Sequence, residues 1–118
     1  MSTVRVRSLP GISVLSPTGS LMGGAETEEL DAAFRAAQSA HVPAIVLNLA
    51  DVPAMNSVGV GLLAGFAAAA RAAKTRLAVC CAGRRVEPIF KLVALPEWRL
   101  FATESEAVQY CAAPEARG

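Results

Sequence analysis

Asn56-Ser57-Val58-Gly59-Val60-Gly61 joins a hydroxyl, a side-chain amide and two glycines at the start of an alanine-rich run. It follows a strand-like stretch, Ala44 to Leu49, and a short loop holding Asp51 and Pro53. A serine at the mouth of a helix sits where an anion is welcome. The first helical N–H groups lack internal partners, and the helix dipole is positive there. Two chemistries fit: Ser57 helps to bind a phosphate, or it receives one. A plainer reading stands beside them, in which Ser57 or Asn56 is only an N-cap and the glycines allow tight helix–sheet packing. Gly59, Gly61 and Gly65 each cost roughly 1 kcal/mol against alanine inside a helix. Local propensity does not justify them. Close approach of the backbone to a strand, a ligand or a partner protein does.

The elements around this junction follow from periodicity. Val4 to Arg7 alternates apolar and charged, as a half-exposed strand does. Pro10-Gly11 marks a turn, and Ile12 to Leu15 reads as a second, antiparallel strand. Gly19 to Gly24 is a loop. A helix is expected from about Ala25 to Ala40, with Glu26, Glu28, Glu29 and Asp31 in its first turns and Leu30, Phe34 and Ala37 as its buried stripe. Ala44 to Leu49 reads as a strand buried on both faces apart from Asn48. The helix from about Ser57 to Ala73 places Leu62, Leu63 and Phe66 inward. Arg71 and Lys74 mark its end. Arg76 to Ala82 is another strand, and strand–helix–strand makes these two parallel. A short helix follows, with Val86, Ile89, Phe90 and Val93 inward and Pro88 in its first turn. Trp98 to Phe101 is an extended segment. A last helix runs from Ser105, its expected cap, to Cys111, with a frayed tail over 112–118.

Composition narrows the function classes. The chain has 118 residues and a formal net charge of +1. That is one domain, spanning 1–118 with its core at about 4–111, and it carries no bulk electrostatic argument for nucleic acid or an acidic membrane. The apolar run from Val58 to Ala70 is shorter than the roughly 20 residues that span a bilayer. No signal pattern opens the chain, so a cytoplasmic location is expected. The 3 cysteines, Cys80, Cys81 and Cys111, are an odd count with two adjacent, which argues against a disulfide framework. No metal-ligand spacing is present, and no cofactor is implied. The single histidine, His41, ends the first helix. With Ser57 and Asp51 it would complete a triad by type, but a triad is a matter of geometry. Gly59-Val60-Gly61 lacks the spacing of a dinucleotide fingerprint. Arg84, Arg85 and Lys91, with Arg71, Lys74 and Arg76, read as solvated faces and helix ends, or as a docking patch for an acidic partner. Trp98 reads as a lid on the core.

Val46 to Leu63, with its apolar strand, Asp51 loop and Asn56-Ser57-Val58-Gly59-Val60-Gly61, resembles the signature of the STAS family, in particular its single-domain anti-sigma-factor antagonists. The resemblance extends over roughly Ile12 to Val108. It takes in Gly19-Ser20-Leu21, Ile89 to Leu95 and Leu100-Phe101. It implies an α/β fold with a mixed sheet of four to five strands and about four helices, mainly on one face. The partner it implies is an anti-sigma factor that is also a serine kinase, with a phosphatase as a further partner and a monomeric or weakly dimeric state. Ser57 matches the serine such a kinase phosphorylates. The implied partner-binding positions are Met22, Asp51, Met55, Asn56, Ser57, Val58, Gly59 and Gly61. Met55 and Val58 flank the serine as apolar contacts, and no residue is implied to be catalytic.

Three positions depart from the family pattern. Asn56 stands where that pattern has an acid, Val58 where it has a second hydroxyl, and Met22 where it has an aspartate. Losing the second hydroxyl leaves Ser57 as the one acceptor at the junction. Asn56 and Met22 favour the alternative of an unphosphorylated STAS scaffold or transporter-associated subunit. A small enzyme using Ser57 or a cysteine is the remaining alternative, and it lacks an evident base.

Overall fold

The computed structural model describes residues 3–92 and 99–113. The hairpin β1 (Val4–Leu9) and β2 (Ile12–Pro17) is antiparallel, with Leu9 opposite Ile12. Its two-residue turn holds Gly11 at φ +74°, a conformation that glycine adopts without steric cost. Helix α1 (Ala25–Ser39) carries the chain to β3 (Ala44–Asn48), which pairs parallel with β2. Helix α2 (Ser57–Ala73) leads to β4 (Arg76–Cys80), again parallel. Helix α3 (Glu87–Leu92) precedes β5 (Arg99–Phe101), and α4 (Glu104–Ala112) follows it. The sheet order is β1-β2-β3-β4-β5, with only the first pair antiparallel. This is the mixed five-strand sheet and four-helix set that the sequence implies.

Strand period separates the two faces. Leu15, Ile45, Leu47, Leu77 and Val79 point to one side, where Leu30, Phe34, Leu63, Phe66, Val86 and Phe90 of the α1–α3 side meet them. Phe34 and Phe66 stack with ring centroids 4.0 Å apart and planes 6° from parallel, joining α1 to α2. Val14, Ala44, Val46, Ala78 and Cys80 point to the other side, where α4 covers them with Ala107. Three helices on one face and one on the other agree with the expected layering. β3 is apolar on both faces because both are covered.

Asn48, the polar exception in that strand, has a defined task. Its Nδ2 donates to Glu104 Oε1 at 2.9 Å, and its Oδ1 accepts from Ala50 N at 2.9 Å. Arg7 Nη2 meets Glu104 Oε2 at 2.8 Å. The β1 edge, the β3 end and the start of α4 therefore meet at one carboxylate. Hydrogen bonds from Arg7 and Asn48 hold that carboxyl below the usual carboxylate range, against a smaller opposing effect of burial. A depressed folded-state pKa adds stability that is present above the unfolded value and lost as pH falls through the folded one. Glu104→Gln should thus weaken the domain near neutrality and lessen its loss of stability on acidification. Urea unfolding from pH 7 down through the carboxylate range measures both.

Some boundaries differ from expectation. α4 begins one residue before Ser105, and its cap is Thr103, whose side chain accepts from Glu106 N while Glu106 reaches back to the Thr103 N–H. This reciprocal capping box satisfies two terminal donors, which Ser105 at the second helical position does not do. β4 ends at Cys80, because Cys81 takes φ +63°, outside the strand region. The expectations placed on Val93 and Trp98 and on the tail from 114 onward lie outside the described residues.

Candidate functional site

The mouth of α2 is built on a two-segment backbone ladder. Beyond β2 and β3 the chain keeps its parallel course, with bridges between Thr18 and Asp51 and between Leu21 and Met55. Gly19 N donates to Asp51 O at 3.0 Å, Leu21 N to Ala54 O at 3.0 Å, and Asn56 N to Leu21 O at 3.3 Å. Leu21, Val52 and Met55 are buried beneath this ladder. The loop before α1 therefore lies alongside the start of α2.

Asn56, not Ser57, is the N-cap. Its Oδ1 accepts from Val58 N at 3.0 Å and Gly59 N at 3.2 Å. Val60 N bonds the Asn56 carbonyl at 3.0 Å. Two of the donors that would attract a bound anion are thus taken by the chain's own amide. Ser57 is the first helical residue and is exposed. Of the two chemistries open to this junction, holding a free anion on the helix N–H groups is the less favoured. The serine hydroxyl is presented outward instead.

Gly59 is buried where α2 crosses the ladder. A Cβ there would lie 2.4 Å from the Leu21 carbonyl oxygen, 3.0 Å from Leu21 Cβ and 3.1 Å from Met55 Cβ. The close approach inferred for this glycine is to the chain's own backbone. Gly61 and Gly65 are different, since nothing lies within 4 Å of a Cβ built at either. Both line a shallow groove of about 480 Å³ between α1 and α2, with Asp31, Phe34, Gln38 and Leu62 among its walls. No internal contact accounts for them. Gly65→Ala should therefore stabilise the free domain by about 0.5–1 kcal/mol, raising its melting temperature by a few degrees in a thermal scan.

The expected apolar neighbours of Ser57 need one correction. Met55 is 7% exposed and belongs to the core, because its bridge to Leu21 directs it under the ladder. It offers no contact area. Val58 is 54% exposed and Met22 47%, and these two supply the apolar surface beside the serine. Asp51 is exposed and held through its backbone to Thr18 and Gly19. His41 follows α1 at the entrance to β3, whereas Ser57 follows the exit of that strand. A five-residue strand of roughly 16 Å separates them. No triad forms with Ser57.

The cysteines sit on the α4 face: Cys80 is fully buried, with Cys81 and Cys111 packed partly buried on the same cluster. Burial pushes the Cys80 thiol far up and raises that of Cys111 to about 11. Both are protonated near neutrality and are poor nucleophiles. Among the described residues no group of three His, Cys, Asp or Glu is placed to hold a metal, and no helix is long and apolar enough to cross a membrane.

Residues 3–107 match the model of the STAS domain. The chain belongs to the STAS domain family. Among solved structures it is similar to an anti-sigma-factor antagonist from Mycobacterium paratuberculosis, with 25% identity, 94% of each chain covered and a TM-score of 0.80. It is also similar to an anti-sigma-factor-antagonist (STAS) domain protein from Planctomyces limnophilus, with 21% identity, 93% and 98% covered and a TM-score of 0.80. A third likeness is to the Bacillus cell-fate determinant SpoIIAA in its phosphorylated form, with 24% identity, 91% and 97% covered and a TM-score of 0.72. No curated protein matches this sequence. These likenesses take in 91–94% of this chain and show a shared fold.

Within the STAS fold, the serine loop and the loop before α1 lie at the edge of the sheet where the parallel strands end and the helices begin. The β2–α1 and β3–α2 connections are joined there by backbone bridges and by the Asn56 side chain. The sequence missed one contact at this place, the bond from Asn56 Nδ2 to the Met22 carbonyl at 3.2 Å.

Proposed function

We propose that this STAS domain is a regulatory binding module of the anti-sigma-factor-antagonist type. It binds an anti-sigma factor that is also a serine kinase, and phosphorylation of Ser57 switches the binding off. The observation that carries the reading is the position of Ser57: first in the helix, exposed, beside two exposed apolar side chains, and with the neighbouring cap donors already used by Asn56. A phosphoryl group adds about −1.5 to −2 charges at pH 7. At a helix N-terminus the domain tolerates that charge, because the dipole is favourable there. A partner surface fitted to a neutral hydroxyl does not. The serine is then a switch for binding and catalyses nothing, and a phosphatase restores the binding form.

Incubation with the serine-kinase anti-sigma factors of the same genome and ATP, followed by mass spectrometry, tests the reading. Modification confined to Ser57 supports it. A chain left unmodified by every kinase that it binds refutes the switch.

A second reading is an unphosphorylated scaffold or transporter-associated STAS subunit. The neutral Asn56 and the apolar Met22 favour it, since both stand where the family resemblance implies acids. Under it, substitutions at Ser57 leave partner binding unchanged.

A further inference from the structure

Asn56 uses both ends of its amide. The oxygen caps α2 through Val58 N and Gly59 N, and the nitrogen donates to the Met22 carbonyl. A carboxylate of the same size does the first task and fails at the second, because two acceptors would then face each other. The Met22 carbonyl belongs to the loop before α1. On the other side of that loop Gly23 N donates to Thr27 Oγ1 at 2.9 Å. The loop is therefore held from both helices, by a hydroxyl of α1 and the cap amide of α2.

The side chains flanking this tie are apolar. Met22 and Val58 are two of the four large hydrophobic residues exposed among those described. Gly23 lies between them at φ +98°, with a Cβ position only 3.3 Å from Val58 Cγ1, so the turn sits directly on Val58. Glu26, the carboxylate next along, is half-buried and packs back along Gly19 and Gly24. Met22, Val58 and the Asn56 amide themselves offer a cationic partner surface no counter-charge, so a cation laid directly over them would lose its water uncompensated.

We propose that Asn56 is a latch whose amide is required. It fixes the Met22 turn against α2, so that Met22 and Val58 form one apolar face beside Ser57. This face takes a partner protein whose matching surface is apolar and uncharged. The partner half rests on the reading of Ser57 as a binding switch, and the latch half stands without it.

Asn56→Asp separates the two, since aspartate caps a helix as well as asparagine. Its melting temperature should stay within a few degrees of wild type. Amide exchange at Leu21 and Gly23 should rise about tenfold or more, because their loop loses one of its ties. Affinity for the purified kinase anti-sigma factor that binds the wild-type chain should fall about tenfold or more. Met22→Ser should weaken the same complex without changing exchange. Unchanged exchange in Asn56→Asp overturns the latch. Unchanged affinity in both variants overturns the apolar face. If none of the genome's kinase anti-sigma factors, each purified singly, binds the wild-type chain, the partner half falls with the switch reading, while exchange still decides the latch.

Discussion

Gly59→Ala should lower the melting temperature by roughly 10 °C, although alanine is the better helix former by about 1 kcal/mol. The added methyl would lie 2.4 Å from the Leu21 carbonyl oxygen, and that contact is with backbone. The oxygen has little room to retreat, since it accepts from Asn56 N at 3.3 Å. Leu21 and Met55, on either side, are core residues paired across the ladder. Relief requires α2 to lift from the loop, which disturbs the cap and the ladder together. Overpacking of this kind costs about 3 kcal/mol or more, well above the gain in propensity. Thermal and urea unfolding of Gly59→Ala beside Gly65→Ala, on the same helix, provide the check. Opposite signs are expected, and equal signs would show that Gly59 is not held by Leu21. Crowding at the mouth of α2 should also disturb the Met22 turn, so loss of partner binding is expected to accompany loss of stability.

The element order was legible because its signals are local. Alternation at Val4–Arg7, the Pro10-Gly11 turn, the acidic start of α1 and the continuous apolar run of β3 each state one element, and the parallel pairing follows from their succession. The face assignment was legible too, since Leu30, Phe34, Leu63 and Phe66 recur at helical spacing. What the sequence left open depends on which segments meet across the fold. Adjacency in the sequence marked Met55 and Val58 alike as apolar neighbours of Ser57. Only the Leu21–Met55 bridge sends one into the core and leaves the other outside. The three glycines of α2 looked equivalent in sequence, yet one meets a carbonyl and two meet open space. Capping had the same limit. Asn56 and Ser57 are both good caps, as are Thr103 and Ser105. The choice rests on which oxygen reaches the third helical N–H, and that is a matter of backbone geometry. The bond from Asn56 to the Met22 carbonyl joins positions 34 residues apart, so no window of sequence contains it.

Ser57→Asp should leave the fold as stable as wild type or slightly more so, while weakening partner binding about a hundredfold or more. The two effects have opposite signs because the same charge meets different surroundings. In the free domain the carboxylate sits at the first helical position, exposed, where the dipole favours it by roughly 0.3–1 kcal/mol. In the proposed complex, built around a hydroxyl beside Met22 and Val58, it would be stripped of water without a counter-charge from these side chains. An uncompensated buried charge costs about 3 kcal/mol or more, and each 1.4 kcal/mol is a factor of ten in affinity. Ser57→Ala carries no charge and should bind within a few-fold of wild type, locked in the binding form. The phosphorylated chain should bind at least as weakly as Ser57→Asp, since its charge is larger. Calorimetric titration of the three forms against the purified kinase anti-sigma factor, with melting curves in parallel, tests the ordering. Binding that falls in step with melting temperature would mean that Ser57 acts through the fold. Binding equal in all three forms would leave the STAS domain as a scaffold with no switch at this serine.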